Sequence, residues 1–169
     1  MTRKGFTLIE VLTAVVIVGI LVSVALPMYK RTIERSRATE AMSAIKGIND
    51  SIYAFFTERE ECPERFSQLV VALPDANGGE DADDTISTKF FQFSLNVDGV
   101  QEVPGTDCPG VLATRINGGS YNYILWHPYR RGTAGTSLSL QCAPVDPADN
   151  RSQAICESLG LFIDTAAGD

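Results

Sequence analysis

The chain has 169 residues, of which 44% are hydrophobic and 21% are charged, a composition that excludes intrinsic disorder and is typical of one folded domain. Its formal net charge of −7 excludes a nucleic-acid-binding domain of the usual kind, since phosphate neutralisation needs clustered Lys and Arg. The charge is unevenly divided: residues 1–46 hold seven Lys or Arg and three Asp or Glu, whereas the remainder holds seven and 18. This asymmetry indicates a basic end that meets a membrane or a partner and an acidic, solvated remainder.

The first predicted element is an apolar helix close to the N-terminus. From Phe6 to Leu26 run 21 residues whose only charge is Glu10. At 1.5 Å per residue this helix spans about 31 Å, the thickness of the hydrocarbon core of a bilayer. A cleaved secretory signal is the alternative, but the stretch is long and Pro27 follows it where an Ala-x-Ala-like site should lie. We therefore predict a transmembrane helix.

Glu10 is the informative residue of this segment, because a carboxylate costs about 2.5–3.5 kcal/mol at the membrane centre and less near an end. One interpretation is that Glu10 lies one turn inside the membrane and reaches the headgroups. The run Lys4-Gly5-Phe6-Thr7-Leu8-Ile9-Glu10, however, resembles the processing site of type IV pilins and type II secretion pseudopilins. That site is a short basic leader ending in Gly, then Phe, then Glu five residues into the mature chain. The resemblance covers residues 1–60 and is only architectural beyond them.

The resemblance implies how the chain is processed and assembled. A prepilin peptidase would cut between Gly5 and Phe6, removing the leader at 1–5, and would methylate the new amine of Phe6. The carboxylate of Glu10 would then meet the N-terminal ammonium of a neighbouring subunit. Each charge stabilises the other in a low-dielectric filament core, so the pair would set the subunit register.

Two residues of the segment weaken a helix. Gly19 lacks a side chain to restrict the backbone, and Pro27 lacks an N–H donor, and both lie where pilin-like proteins often carry such residues. We predict that the stretch between them partly unwinds when the subunit leaves the membrane. The alternative is that they are ordinary residues of a transmembrane helix, in which Gly and Pro are common.

The helix is predicted to continue from the membrane segment, 6–27, through an amphipathic half, 28–57. Apolar residues recur there at spacings of three and four, which places them on one face. We expect this face to pack on a head; an isolated coiled coil is the alternative, but the pattern lasts barely three heptads. The apolar positions are Ala38, Ala41, Ile45, Ile48, Ile52 and Phe55.

The sequence predicts a small head over residues 28–169. This head includes the amphipathic half of the helix and all residues that follow it. A connecting loop, 58–88, precedes an antiparallel sheet, 89–142, because apolar and polar residues alternate there with a period of two. Predicted strands cover 91–97, 111–116, 120–129 and 137–142, and Asn117-Gly118-Gly119 forms a hairpin turn. The expected fold class is therefore α+β, one long N-terminal helix on a small antiparallel sheet, which the pilin resemblance also implies.

The C-terminal segment, 143–169, is predicted to carry one short helix and a disulfide. Asn150 is the expected N-cap, with Gln153 completing a capping box and Gly160 ending the helix.

All four cysteines follow the apolar segment, and their spacing contains no Cys-x-x-Cys, which disfavours zinc or thioredoxin-like chemistry. Disulfides in an oxidising compartment are favoured, with buried free thiols as the alternative. Of three pairings we choose Cys142–Cys156, which would clip the last strand to the terminal helix and resembles the C-terminal disulfide loop of many pilins, and Cys62–Cys108.

The cysteines conflict with the charge rule for membrane topology. Four cations follow the apolar segment and only Arg3 and Lys4 precede it, so the positive-inside rule alone would place the head in the cytoplasm. Because disulfides require an oxidising compartment, we expect the head outside the cytoplasm. The four cations are Lys30, Arg31, Arg35 and Arg37.

Little in the sequence points to catalysis or to a cofactor. The acidic run Asp75–Asp84 holds carboxylates of the kind calcium prefers, and some pseudopilins bind calcium, but its spacing does not match an EF-hand. We expect a solvated loop and no metal or other cofactor. His127 lies in an aromatic strand, where packing explains it better than general-base chemistry, and Arg130-Arg131 is read as a solvated turn rather than a nucleic-acid site. Neither a Walker loop nor another catalytic motif occurs, so no enzyme is expected.

The function implied by the resemblance is that of a structural subunit of a type IV pilus-like filament, assembled as a helical homopolymer through its N-terminal helix. The implied partners are a prepilin peptidase, an assembly ATPase and an inner-membrane platform protein. Before assembly the subunit would cross the bacterial inner membrane once, with its N-terminus cytoplasmic and its head periplasmic; the assembled pilus would be extracellular. The alternatives are a pseudopilin of a type II secretion system and, more remotely, a membrane-anchored binding protein or enzyme.

Overall fold

The computed structural model of the chain describes residues 5–71, 73, 85–95, 106, 108, 110–126 and 140–161. Two helices, one short 3-10 helix and five strands lie within these ranges. In chain order they are helix α1 (Leu8–Arg59), the 3-10 helix (Phe66–Gln68), strands β1 (Thr85–Ser87), β2 (Phe91–Ser94), β3 (Leu112–Arg115), β4 (Tyr123–Trp126) and β5 (Gln141–Pro144), and helix α2 (Asn150–Ser158).

Helix α1 has 52 residues and is therefore about 78 Å long. It begins at a capping box, in which the Thr7 side chain accepts from the Glu10 backbone N–H and the Glu10 carboxylate accepts from that of Thr7. It ends where Glu60 adopts a left-handed conformation, φ 56°, and donates its N–H to the Phe56 carbonyl at 2.7 Å. The predicted long helix is confirmed, with both ends moved two residues toward the C-terminus. It is continuous through Pro27.

The predicted apolar face of α1 packs on the head. Ala38, Ala41, Ile45, Ile48 and Ile52 are each at most 2% exposed, and Phe55 packs at the edge of the same core. These side chains form one stripe because residues three and four apart share a face of a helix. The alternative of an isolated coiled coil is therefore wrong.

The sheet is an antiparallel meander in which neighbours in sequence are neighbours in space, in the order β1-β2-β3-β4-β5. Its register places Phe93 opposite Ala113 and Leu125 opposite Cys142. Side chains alternate along β2, β3 and β4, so that one face is buried against α1. The predicted hairpin is present, since β3 pairs with β4, and the α+β class is confirmed.

Several predicted boundaries in the head differ from the structure. β1 lies inside the segment expected to be a loop, since its three residues are too few for a readable period of two. β5 begins at Gln141 and extends to Pro144, beyond the expected sheet end at 142; this proline is tolerated because it ends an edge strand of the described sheet. Part of the predicted 91–97, 120–129 and 137–142 strands lies outside the described residues.

Helix α2 is capped by Asp149, so the expectation that Asn150 is the cap is wrong. The Asp149 side chain accepts from the backbone N–H groups of Arg151 and Ser152, and a carboxylate suits this position because it faces the orphan N–H groups and the positive helix end. The buried Ser152 hydroxyl donates to Asp149 at 2.5 Å and accepts from the Asn122 N–H at 2.8 Å. Through this hydroxyl the helix is tied to the chain just before β4.

Two disulfides close the head, and they are the pairs predicted from the sequence. Cys62, after the end of α1, is joined to Cys108, and Cys142 on β5 is joined to Cys156 on α2. The alternative of free thiols does not apply. On the loop-entropy model the bonds contribute about 4 and about 3 kcal/mol to the free energy of unfolding.

Candidate functional site

The first half of α1 contributes no buried residue to the core of the head. Among the described residues before Ile33 every side chain is exposed, including Leu8 at 83% and Leu21 at 64%. By length and composition this part of the helix can cross a membrane. An apolar cylinder exposed on all sides is unfavourable in water, so this half needs lipid or other apolar helices around it.

The predicted cleavage residues, Gly5 and Phe6, lie just before the first turn of this helix. Phe6 is 87% exposed, and no other part of the described chain would approach a side chain placed at Gly5 within 4 Å. Among the described residues, none packs on the Gly5 position. Residues 1–4 lie outside the described ranges.

Glu10 has a partner within its own chain, which the sequence analysis did not anticipate. Its Oε2 accepts from the Thr7 N–H at 2.8 Å and from the Thr7 hydroxyl at 2.7 Å. The Thr7-x-x-Glu10 spacing is the capping-box signature and was readable from the sequence. In the single subunit the carboxylate is thus held at the helix N-terminus, where the helix dipole favours negative charge.

The polar residue at the junction of helix and head is Glu34, which is 1% exposed. Its Oε1 accepts from Arg115 Nε at 2.5 Å and from the Tyr123 hydroxyl at 3.0 Å, and its Oε2 accepts from Arg115 Nη2 at 3.0 Å. Arg37, one turn further along α1, donates to the same Oε2 at 3.2 Å. This set of four residues, the junction cluster, joins α1 to β3 and β4.

The junction cluster changes the acidity of its members. Burial acts to raise the pKa of Glu34, but the hydrogen bonds and charge of Arg115, followed by the bonds from Tyr123 and Arg37, outweigh it and hold that pKa below its ordinary value. Burial, followed by the Glu34 charge, raises the pKa of the Tyr123 hydroxyl. At neutral pH the carboxylate is therefore ionised and the phenol protonated.

Arg115 is fixed by more than its ion pair. It is 3% exposed and also donates to the carbonyls of Phe90 and Ile116. Its guanidinium lies 5.3 Å from the ring centres of both Phe90 and Phe91. Planar, two-point pairing with a carboxylate is the geometry that Arg provides and Lys does not.

Known proteins resemble this chain both in its N-terminal motif and over most of its length. Residues 1–26 match the family model described as the prokaryotic N-terminal methylation motif. The type IV major pilin protein PilE1 of Neisseria gonorrhoeae is 30% identical over 135 residues, 78% of this chain and 74% of that protein. The chain belongs to the type IV pilin family.

Shorter matches agree with the family assignment. The type IV major fimbrial protein FimA of Dichelobacter nodosus is 31% identical over 96 residues, 56% of this chain and 62% of that protein. A fimbrial protein of Moraxella nonliquefaciens is 44% identical over 50 residues, 30% of this chain and 32% of that protein. A pilin is a structural subunit of a filament, and the exposed N-terminal helix suits membrane anchoring and pilus assembly.

Several residues considered from the sequence cannot be placed in this pilin. His127, Arg130-Arg131 and the acidic run Asp75–Asp84 lie outside the described residues. Within the described ranges no three His, Cys, Asp or Glu side chains are grouped so that they would hold a metal ion.

Proposed function

We propose that this type IV pilin is stored in the bacterial inner membrane and polymerises into an extracellular pilus through the first half of α1. The observation that carries the proposal is the exposed apolar surface of that half, which has no partner within the described chain. Lipid would surround it before assembly, and the equivalent helices of neighbouring copies after it. Because one apolar environment replaces another, a membrane-bound machine must drive the exchange.

Processing at the N-terminus prepares the subunit. We place the cut of the prepilin peptidase between Gly5 and Phe6 and the methyl group on the amine of Phe6. The family match over residues 1–26 and the open surroundings of this peptide bond support the assignment. The further partners are an assembly ATPase and an inner-membrane platform protein.

Assembly is proposed to depend on Glu10, Gly19 and Pro27. Glu10 would exchange its capping contacts with Thr7 for the N-terminal ammonium of a neighbouring copy, setting the register between subunits. The ring of Pro27 removes the N–H that would otherwise donate to Ser23, and Gly19 adds backbone freedom. The stretch between them would unwind in part when the helix leaves the bilayer.

The head is proposed to lie in the periplasm before assembly. The two disulfides support this side of the membrane, because they persist in oxidising compartments. This assignment overrides the positive-inside count, which considers only the charges that flank the helix.

Electron microscopy of cells that produce a tagged copy tests the proposal. We expect labelled filaments on the cell surface, and a Gly5→Leu variant that keeps its leader, measured by the intact mass, and forms none. Gly47→Leu is a matched control on an exposed position of the same helix. Filaments confined to the periplasm would instead indicate a pseudopilin, and a chain with an uncleaved Met1 and no filaments would indicate a membrane-anchored protein of another kind.

A further inference from the structure

We propose that a groove between α1 and the β3–β4 turn binds the headgroup of an anionic phospholipid while the subunit is stored in the membrane. The inference rests on the proposed function in that it takes residues 6–27 as the membrane segment. The groove has a volume of about 380 Å³. The lining residues that carry the argument are Tyr29, Lys30, Ile33, Arg37, Ser120 and Tyr121.

The groove lies at the depth of the lipid headgroups. Lys30 follows Leu26, the last residue of the apolar stretch, by four residues, or about 6 Å along the helix axis. Tyr29, beside it, is 64% exposed. Tyrosine favours the membrane interface, because its ring is apolar and its hydroxyl is polar. A ligand in this groove would therefore be reached from the outer leaflet.

The second wall of the groove is held in place by the β3–β4 turn. Asn117 and Gly119 adopt left-handed conformations, with φ of 54° and 61°. A side chain at Gly118 would collide with the carbonyl oxygen of Tyr121. The backbone N–H of Tyr121 donates to the Gly118 carbonyl at 3.2 Å and closes the turn. Only glycine suits this position, and the tight turn brings Ser120 and Tyr121 against the helix.

The groove is cationic. Lys30 is exposed, and the Arg37 side chain is 32% exposed, stacked 4.1 Å from the ring centre of Phe90. Glu34 also lines the groove, but its single negative charge is shared between two guanidinium groups, those of Arg37 and the buried Arg115. Two positive charges and the hydroxyls of the lining residues are therefore left for a phosphate, which accepts strong charge-assisted hydrogen bonds.

A lipid suits the groove better than the acidic surface of a second membrane-bound copy. Beyond Lys30, the exposed carboxylates of the described helix and its C-terminal end are those of Glu40, Asp50, Glu58, Glu60 and Glu61. The nearest of them, Glu40, lies about 15 Å from Lys30 along the helix. Two copies anchored at the same depth do not bring these groups together, whereas an anionic leaflet is present at the depth of the groove. Lipid binding would also give the cations that follow the membrane segment an anionic partner on the same side of the membrane as the head.

The selectivity of the full chain for lipids tests the proposal. The chain is reconstituted into phosphatidylcholine vesicles with a trace of spin-labelled phosphatidylglycerol or spin-labelled phosphatidylcholine. The motionally restricted fraction in each spectrum gives the relative association constant. We expect a preference for phosphatidylglycerol of about fivefold per basic side chain at low salt, reduced by added salt because exposed charges are screened.

Matched variants locate the preference. Lys30→Gln and Arg37→Gln are each expected to reduce it about fivefold. Lys46→Gln removes the same charge from an exposed position about 24 Å further along the helix and is expected to leave it unchanged. Lys30 is exposed, so its variant tests the groove without disturbing the core, and circular dichroism of both groove variants verifies the fold.

Three results would overturn the proposal: no preference in the native chain, equal losses in the groove variants and Lys46→Gln, or salt-sensitive self-association in place of lipid selectivity, which would assign the groove to a second copy. The measurement requires only insertion into a bilayer. A missing preference in a chain that forms pili would therefore overturn the groove alone, whereas failure to insert would overturn the proposed function.

Discussion

Arg115 and Glu34 form a buried two-point ion pair between β3 and α1, with Nε–Oε1 and Nη2–Oε2 distances of 2.5 and 3.0 Å. The two residues are 81 positions apart in sequence and lie where the exposed apolar half of the helix meets the head. Because the hydrogen bonds of this pair are directional, they restrict rotation and sliding of the head on the helix. Apolar packing alone would restrict these movements less.

Removing the charge of Glu34 is predicted to destabilise the head. In a Glu34→Gln variant Arg115 stays buried without a counter-charge, so the free energy of unfolding should fall by about 3–5 kcal/mol. The fluorescence of Trp126, the single tryptophan, followed in urea in a nonionic detergent, measures the loss. Glu40→Gln alters an exposed carboxylate of the same helix and should change the free energy of unfolding by less than about 0.5 kcal/mol. Equal effects of the two variants would contradict the role of the ion pair.

The same pair predicts a loss of stability in acid. The pKa of Glu34 is held below its ordinary value of 4.5, so the unfolded chain takes up the proton first as the pH falls. The contribution is therefore complete at neutral pH and is lost as the pH falls below about 4.5 toward the folded pKa. Urea unfolding of the native chain and Glu34→Gln between pH 6 and 3 should show the stability difference narrowing with acid; a constant difference would exclude the mechanism. The pKa of Asp149 is also lowered, by its hydrogen bond from Ser152. Because Asp149 is present in both chains, its contribution cancels in the stability difference between them.

The cap of α2 gives a prediction that separates neighbouring residues. Asp149→Ala should lower the free energy of unfolding by about 0.5–2 kcal/mol, because two backbone N–H groups lose their acceptor. Asn150→Ala, at an exposed position inside the helix, should have little effect or stabilise it slightly. If urea unfolding showed a larger loss of stability for Asn150→Ala than for Asp149→Ala, Asn150 would be the cap.

The sequence predicted those elements whose periodicity is long. The stripe from Ala38 to Ile52 and the alternation around Phe91 extend over enough residues for the period to be read. β1 could not be predicted, because three residues do not define a period. The choice of Asn150 over Asp149 was wrong because both residue types cap helices, and only backbone geometry distinguishes adjacent candidates.

The junction cluster was missed although its signals are present. Glu34 precedes Ala38 by four residues and so lies on the buried stripe, and Arg115 follows Ala113 by two and so lies on the inner face of β3. Each charge alone indicates a solvated position. Only the two opposite charges at inward positions together predict a buried pair, and which strand faces which turn of the helix depends on the tertiary fold.

The disulfides predict how the purified chain responds to alkylation. Under non-reducing, denaturing conditions no thiol should be modified, and after reduction the mass should increase by four labels, because all four cysteines are paired. A Cys142→Ser/Cys156→Ser chain should lose about 3 kcal/mol and a Cys62→Ser/Cys108→Ser chain about 4 kcal/mol. Labelling of any cysteine before reduction would contradict the pairing and remove the support that it gives to a periplasmic head.

Glu10 has two candidate roles, as the capping partner of Thr7 and as the partner of a neighbouring subunit, and two variants separate them. Glu10→Val removes both roles; membrane insertion should be unchanged or improved, since an apolar side chain costs less in lipid, while filament formation is lost. Thr7→Val removes the side-chain cap, worth about 1 kcal/mol, and leaves the carboxylate, so it should still assemble. Membrane fractionation and electron microscopy of sheared filaments measure the two outcomes. Normal filaments from Glu10→Val would exclude the intersubunit pair, and equal loss in Thr7→Val would assign the effect to the helix cap.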